Sequence, residues 1–302
     1  MTAYALEFAS EVMFDGLNLA WHWSPITLIS LVIFCGIYFL GIRRAQRKNP
    51  GETPLLKRHV VAFVVAILLM ALMLLTPIDA IARTQLFLAH MTQVVILTTL
   101  SAPLILYACP AWLLKPVFKS PASKPLARVL TQPVIASVIF NLNFLFWHMP
   151  LFYGLALQYG TLYHVELVSI FATSLLNWWP LIGPTRELHT MTYPQQMLYA
   201  FLDGQPVDIF AFLLVFSFVV IYPFYHIPPQ LGISAFGDQA AGGAMLLIPG
   251  VVDLVVMTPL FFRWLGMLEA HAKIADERRA QEEAMWNEEE ENEQAYHETY
   301  EA

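Results

Sequence analysis

Ala89-His90-Met91-Thr92-Gln93 lies inside the apolar run 86–114, which is interrupted at Ala102-Pro103. A histidine in a segment long enough to cross hydrocarbon is costly to place there. Ionisable side chains at that depth face the interior of a helix bundle and mark functional sites. With a thioether and an amide beside it, His90 suggests a soft-metal or ligand site within a membrane. The chain can be read outward by asking what else reaches its depth.

The chain has 302 residues, 58% hydrophobic and 13% charged. A soluble domain carries about a quarter charged residues, so the composition indicates an integral membrane protein resting in a lipid bilayer. The net charge of −7 belongs to one end. From Glu269 onward there are 12 acids against 3 bases, and before it 11 acids against 13 bases. No basic patch offers a nucleic-acid surface. Cys35 and Cys109 stand in no CxxC pattern and read as packing residues. Glu7, Glu11 and Asp15 occupy the place of a basic leader region, so no cleavable signal peptide is expected.

A spanning helix needs about 20 mostly apolar residues. On that rule the fold class is all-α, a polytopic bundle of seven transmembrane helices over roughly 24–42, 59–76, 85–107, 133–150, 163–182, 196–224 and 240–265. Three segments follow: 1–23 outside the membrane, 24–267 in it, and an acidic cytoplasmic tail over 268–302. That tail is rich in Ala, Glu and Gln without a clear apolar face, so it reads as a solvated helix or a disordered segment. Of the 16 Lys and Arg residues, 15 follow odd-numbered spans and only Arg83 lies opposite. Positive charge stays cytoplasmic, which places the N-terminus outside and the C-terminus inside.

This orientation sorts the histidines. His90 lies roughly 9 Å from the outer end of its span at 1.5 Å per residue. His148 ends the fourth span and His164 begins the fifth, both on the outer side; His22 and His226 also fall there. Soft and borderline metals such as Cu(I) take imidazole and thioether ligands, and His90-Met91 and His148-Met149 supply both. Neighbouring helical residues point about 100° apart, so Met91 is poorly placed to share an ion with His90. Met149 is better placed, because Pro150 ends the helix there. Glu166, two residues from His164, reads as a further ligand or as a partner orienting an imidazole. The candidate metal residues are therefore His90, His148, His164, Glu166 and Met149.

Glu166, Ser169, Thr173 and Asn177 give the fifth span one polar face, and Asn141 with His148 does so for the fourth. For the Ser, Thr and Asn members interhelical hydrogen bonding is the simpler reading. Asp203 and Asp208 flank Gly204 and Pro206 in the sixth span, with Asp253 in the seventh. They read either as an ion or proton path, or as acids bonded to loosened backbone or to Arg186. Gly242-Gly243 permits close helix packing. No nucleotide-binding glycine loop, nucleophile elbow, HExxH or CxxCH occurs, and no enzymatic activity is expected.

These pieces in order resemble the CtaG family of polytopic assembly factors for caa-type cytochrome c oxidases. The resemblance runs over about residues 21–265. It rests on Trp23-Ser24-Pro25, His90-Met91-Thr92-Gln93, Ala102-Pro103, Cys109-Pro110, Trp147-His148-Met149-Pro150 with Tyr153, the Glu166 helix ending Trp178-Trp179-Pro180-Leu181, Tyr222-Pro223, Asp238-Gln239 and Gly242-Gly243. It implies a bacterial plasma-membrane protein that matures a haem–copper oxidase of the respiratory chain. Its partners would be oxidase subunits, and copper its handled metal. Many members carry histidines where this chain has Val94 and Leu167, which implies a reduced or altered site. Two alternatives come from other classes: an ion- or proton-coupled transporter using Asp203, Asp208 and Asp253, and a metal-free scaffold subunit of a respiratory complex.

Overall fold

The computed structural model describes residues 16–19, 21, 25–48, 55–114, 123–184 and 191–300. His22, Trp23, Ser24, Arg186 and most of the segment 1–23 lie outside the described residues. Among those described, the chain is helical without strands. In chain order the helices are α1 (Pro25–Lys48), α2 (Lys57–Leu75), α3 (Pro77–Thr84), α4 (Phe87–Val95), α5 (Ala102–Ala108), α6 (Ser123–Leu130), α7 (Pro133–Trp147), α8 (Pro150–Gln158), α9 (Gly160–Ile182), α10 (Tyr193–Phe216), α11 (Ala235–Met245) and α12 (Ile248–Tyr300). Six continuous helical segments are long and apolar enough to cross a membrane; α6 and α7, bent by 73° at their junction, make a seventh if counted as one span. α7 by itself stops at Trp147, short of the end expected for the fourth span at 150.

α4 and α5 form one span joined by a π-helical turn, Ile96–Ser101. Pro103 explains it. Proline has no N–H to give, and the N–H of Ala102 reaches back to Leu97 O instead of the usual fourth residue. A carbonyl loosened here is taken up by Trp178, whose Nε1 donates to Thr98 O at 2.9 Å. At membrane depth a freed backbone group must find a protein partner, and α9 provides it.

The expected span 196–224 is shorter in the structure. α10 stops at Phe216, with Ser217 extended, and the segment 217–234 is largely irregular. Gln239 of α11 makes this possible: its Oε1 accepts from Ile221 N at 2.6 Å and its Nε2 donates to Val219 O at 3.2 Å. Hydropathy registers Phe218, Val219 and Val220 as apolar but cannot register that a distant amide replaces their helical hydrogen bonds. The expected span 240–265 begins earlier, at Ala235, and turns at Leu246-Leu247 before α12. α12 continues as helix to Tyr300, its acidic residues from Glu269 to Glu291 exposed, the helical form of the two expected for the tail.

Between helices in lipid there is little hydrophobic driving force, so close van der Waals packing and hydrogen bonds carry association. Gly242 of α11 lies so near α4 that a Cβ there would stand 2.4 Å from the Phe87 ring, and one on Gly243 would stand 2.8 Å from Leu214 Cβ. α11 also caps α4: the Asp238 carboxylate accepts from Phe87 N at 2.7 Å and Leu88 N at 3.1 Å. α7 is tied to α9 through Asn143, which donates to Ser169 Oγ and Thr173 Oγ1, and Trp147, whose Nε1 donates to Ser169 Oγ at 2.8 Å. A second cluster joins α1, α2 and α5 around Tyr38 and Phe63, whose rings stack at 3.7 Å, with Cys35 and Cys109 packed at its edge as free thiols.

Candidate metal centre

Three helical segments converge at one buried point. α4 brings His90, the end of α7 brings His148, and α9 brings Glu166; their side chains are 0%, 1% and 0% exposed. One ligand atom from each lies within 4.8 Å of the others. His90 sits one turn inside the end that Asp238 caps. His148 stands where Met149, preceding Pro150, is forced into extended backbone, so α7 ends and the imidazole turns inward over Phe144, ring centroids 4.2 Å apart. Glu166 is three residues from Tyr163, on the same face of α9.

Hydrogen bonds orient both rings. His148 Nδ1 lies 2.8 Å from Phe144 O; a carbonyl only accepts, so this nitrogen carries the proton and Nε2 keeps a lone pair. His90 Nδ1 lies 3.1 Å from Tyr163 Oη, and Tyr163 donates to Gln93 Oε1 at 2.5 Å. Gln93 Nε2 donates to Met73 O at 2.8 Å and Asp79 Oδ1 at 3.0 Å. Facing one another without hydrogen-bond partners are His90 Nε2, His148 Nε2, and both oxygens of Glu166. Among them His90 Nε2 lies 3.3 Å from Glu166 Oε1.

Buried polar atoms are satisfied as a rule, and leaving one unpaired costs about 1–3 kcal/mol. Four acceptors gathered without a donor call for a cation or protons. One shared proton would bridge His90 and Glu166 and leave His148 Nε2 unpaired. Two imidazole nitrogens and a carboxylate are the donor set of a borderline transition ion. Bonds near 2 Å put two donors at most about 4 Å apart, so a small inward movement of the side chains completes the fit.

The other candidate residues stand apart from these three. His164 and Glu166 are two residues apart, roughly 200° around a helix, and His164 turns to α3, its Nε2 3.7 Å from Asp79 Oδ2 and Nδ1 bonded to Gly160 O at 2.7 Å. Met149 is 52% exposed. Val94 and Leu167 are buried in the apolar core around the site. Tyr153, Tyr222 and Tyr225 complete the walls: Tyr222 donates to His148 O, Tyr153 pairs with Tyr225 through their hydroxyls, and Tyr225 donates to Ala82 O at 3.2 Å. The sequence marked Gln93 only as an amide beside His90 and Tyr153 and Tyr222 only as parts of the family pattern, and it gave no role to Tyr225, Asp79 or Tyr163. The signal lay in spacing: Gln93 is three residues from His90, and Tyr163 three from Glu166.

The three acids of α10 and α12 also meet at one cavity. Asp203, Asp208 and Asp253 line a cavity of about 60 Å³ with Asn177, Thr98 and Thr99. Asn177 and Asn141 donate to the Asp203 carboxylate, and Tyr199 to Asn177 O at 2.7 Å.

A multi-helix, membrane-embedded protein with, among the described residues, a buried His-His-Glu constellation is the class that fold and site define. The sequence model of the cytochrome c oxidase caa3 assembly factor family, Caa3_CtaG, matches residues 36–266, and the chain belongs to that family. No curated protein and no solved structure matches the chain.

Proposed function

We propose that this assembly factor acts on a haem–copper oxidase by holding copper transiently at His90, His148 and Glu166, and that its partners are the subunits of that oxidase. The observation supporting this is the set of four buried acceptor atoms that face one another without a donor. In this role the copper is cargo rather than a resident cofactor, and no catalysis is needed. The basic residues, 15 of 16 after odd-numbered spans, support an orientation with the N-terminus outside and the C-terminus cytoplasmic in a bacterial plasma membrane. The buried site then lies nearer the outer face, with the partly exposed His164 and Asp79 beside it.

The test is copper content of detergent-purified protein after anaerobic loading. About one copper per chain is expected, lost in His148→Ala and Glu166→Gln and kept in His164→Ala and Met149→Ala. A folded wild type without copper would overturn the metal reading and leave a metal-free scaffold. Copper lost in His164→Ala would return that residue to the ligand set.

A second reading, ion- or proton-coupled transport, draws on the convergence of Asp203, Asp208 and Asp253 at one cavity. Intramembrane carboxylates are a common mark of such paths. Asp253→Asn separates the two: a transporter loses function outright, whereas an assembly factor retains copper binding and oxidase maturation.

A further inference from the structure

We infer that Tyr163 and Gln93 are positioning residues that hold the proton of the neutral His90 ring on Nδ1, away from Glu166, and so keep the Nε2 lone pair turned into the site. This deepens the metal reading above and rests on it for its purpose, though not for its geometry.

The inference starts at Gln93. Its side-chain nitrogen faces two acceptors, Met73 O and Asp79 Oδ1, so the amide cannot be turned over without setting oxygen against oxygen. Its Oε1 must then face Tyr163, and Tyr163 must donate to it. A hydroxyl has one proton. With that proton committed to Gln93, Tyr163 can only accept from His90, and His90 must carry its hydrogen on Nδ1. Four directional bonds, from Asp79 and Met73 through Gln93 and Tyr163, thus decide which nitrogen of a fully buried imidazole is bare.

The alternative lies on the other side of the same ring. Nε2 stands 3.3 Å from Glu166 Oε1. Without an acceptor at Nδ1, the ring would place its proton on Nε2 and donate it to the carboxylate. That one bond would occupy two of the three ligand groups. Tyr163 and Glu166 therefore compete for the His90 proton, and the Gln93 clamp decides for Tyr163. Partners that orient a ligating histidine in this way alter metal affinity by about 10- to 100-fold when removed.

The test reads the tautomer directly. Metal-free protein labelled with 15N-histidine is studied by NMR in detergent, His90 being assigned by its loss in His90→Gln. In the wild type, His90 is expected to show a protonated Nδ1 and a bare Nε2. Tyr163→Phe, nearly isosteric, should move the proton to Nε2. Gln93→Met should do the same, because the freed Tyr163 hydroxyl can then turn and donate to Nδ1. Both variants should bind Cu(II) about 10- to 100-fold more weakly with helicity by circular dichroism unchanged. If Tyr163→Phe fails to fold, Gln93→Met supplies the readout. A wild-type proton on Nε2, or a tautomer unmoved in the folded variants, overturns the inference. A wild type with the expected tautomer that takes up no copper leaves the positioning intact and overturns the copper reading instead.

Discussion

Gly242 shows how much one residue can decide in this protein. Its missing side chain is filled by the Phe87 ring, which stacks on Tyr222 at 4.7 Å, and Tyr222 holds the carbonyl of His148. Gly242→Ala puts a methyl group 2.4 Å from Phe87 Cδ1, against a ring that is itself fully buried. Overpacking of this kind costs about 1–3 kcal/mol, and a lower thermal midpoint in detergent is expected. Gly36 is the contrast, with nothing within 4 Å of a built Cβ; Gly36→Ala in the middle of α1 should be neutral or gain up to about 1 kcal/mol. If both glycines respond alike, close packing at Gly242 is not the cause. The histidines divide on the same principle. His90 and His148 are enclosed by aromatic rings and kept from water, while His164 has a carboxylate beside it at the rim.

At the scale of the helix, the position of His90 depends on α11. α4 begins without a capping side chain of its own, and the free N–H groups of Phe87 and Leu88 are met by Asp238 from 150 residues away in sequence. A carboxylate at a helix N-terminus both accepts these bonds and meets the positive end of the helix dipole. Asp238→Ala should cost about 1–2 kcal/mol and weaken copper retention by letting the first turn of α4 fray. Hydrogen exchange at Phe87 and Leu88 should quicken while exchange in the α1–α2 pair stays as it was. Uniform quickening would mean a global loss of stability instead. The proline positions were plain from composition: Pro103 widens α4 into its π turn and Pro150 ends the α7 segment. Which side chain would take up each freed backbone group was not, because Trp178 and Gln239 lie far along the chain from the groups they satisfy.

For the whole molecule, the acidic residues of α12 from Glu269 to Glu291 stand exposed beyond the packed bundle. Truncation after Leu268 should leave copper content and thermal midpoint unchanged within error, and a large fall in either would show that the tail props the bundle. Sidedness can be read with an impermeant thiol reagent on a chain lacking Cys35 and Cys109: a cysteine at Gln158 should label from outside the cell, and one at Ala275 only after permeabilisation. The opposite pattern would invert the proposed orientation. Most of the helical plan was legible in the chain, because apolar length and proline are local properties that a bilayer reads directly. The same is true of His90, His148 and Glu166 as costly residues in apolar surroundings. What only the tertiary structure decided is which of the polar groups meet. The 100° step of a helix sends Glu166 inward and His164 outward, a proline turns Met149 to the surface, and the Gln239 amide of α11 meets the backbone just beyond Phe216, where α10 stops. These outcomes depend on partners brought from distant parts of the chain, where each buried lone pair or N–H must be matched, and no local pattern carries that pairing.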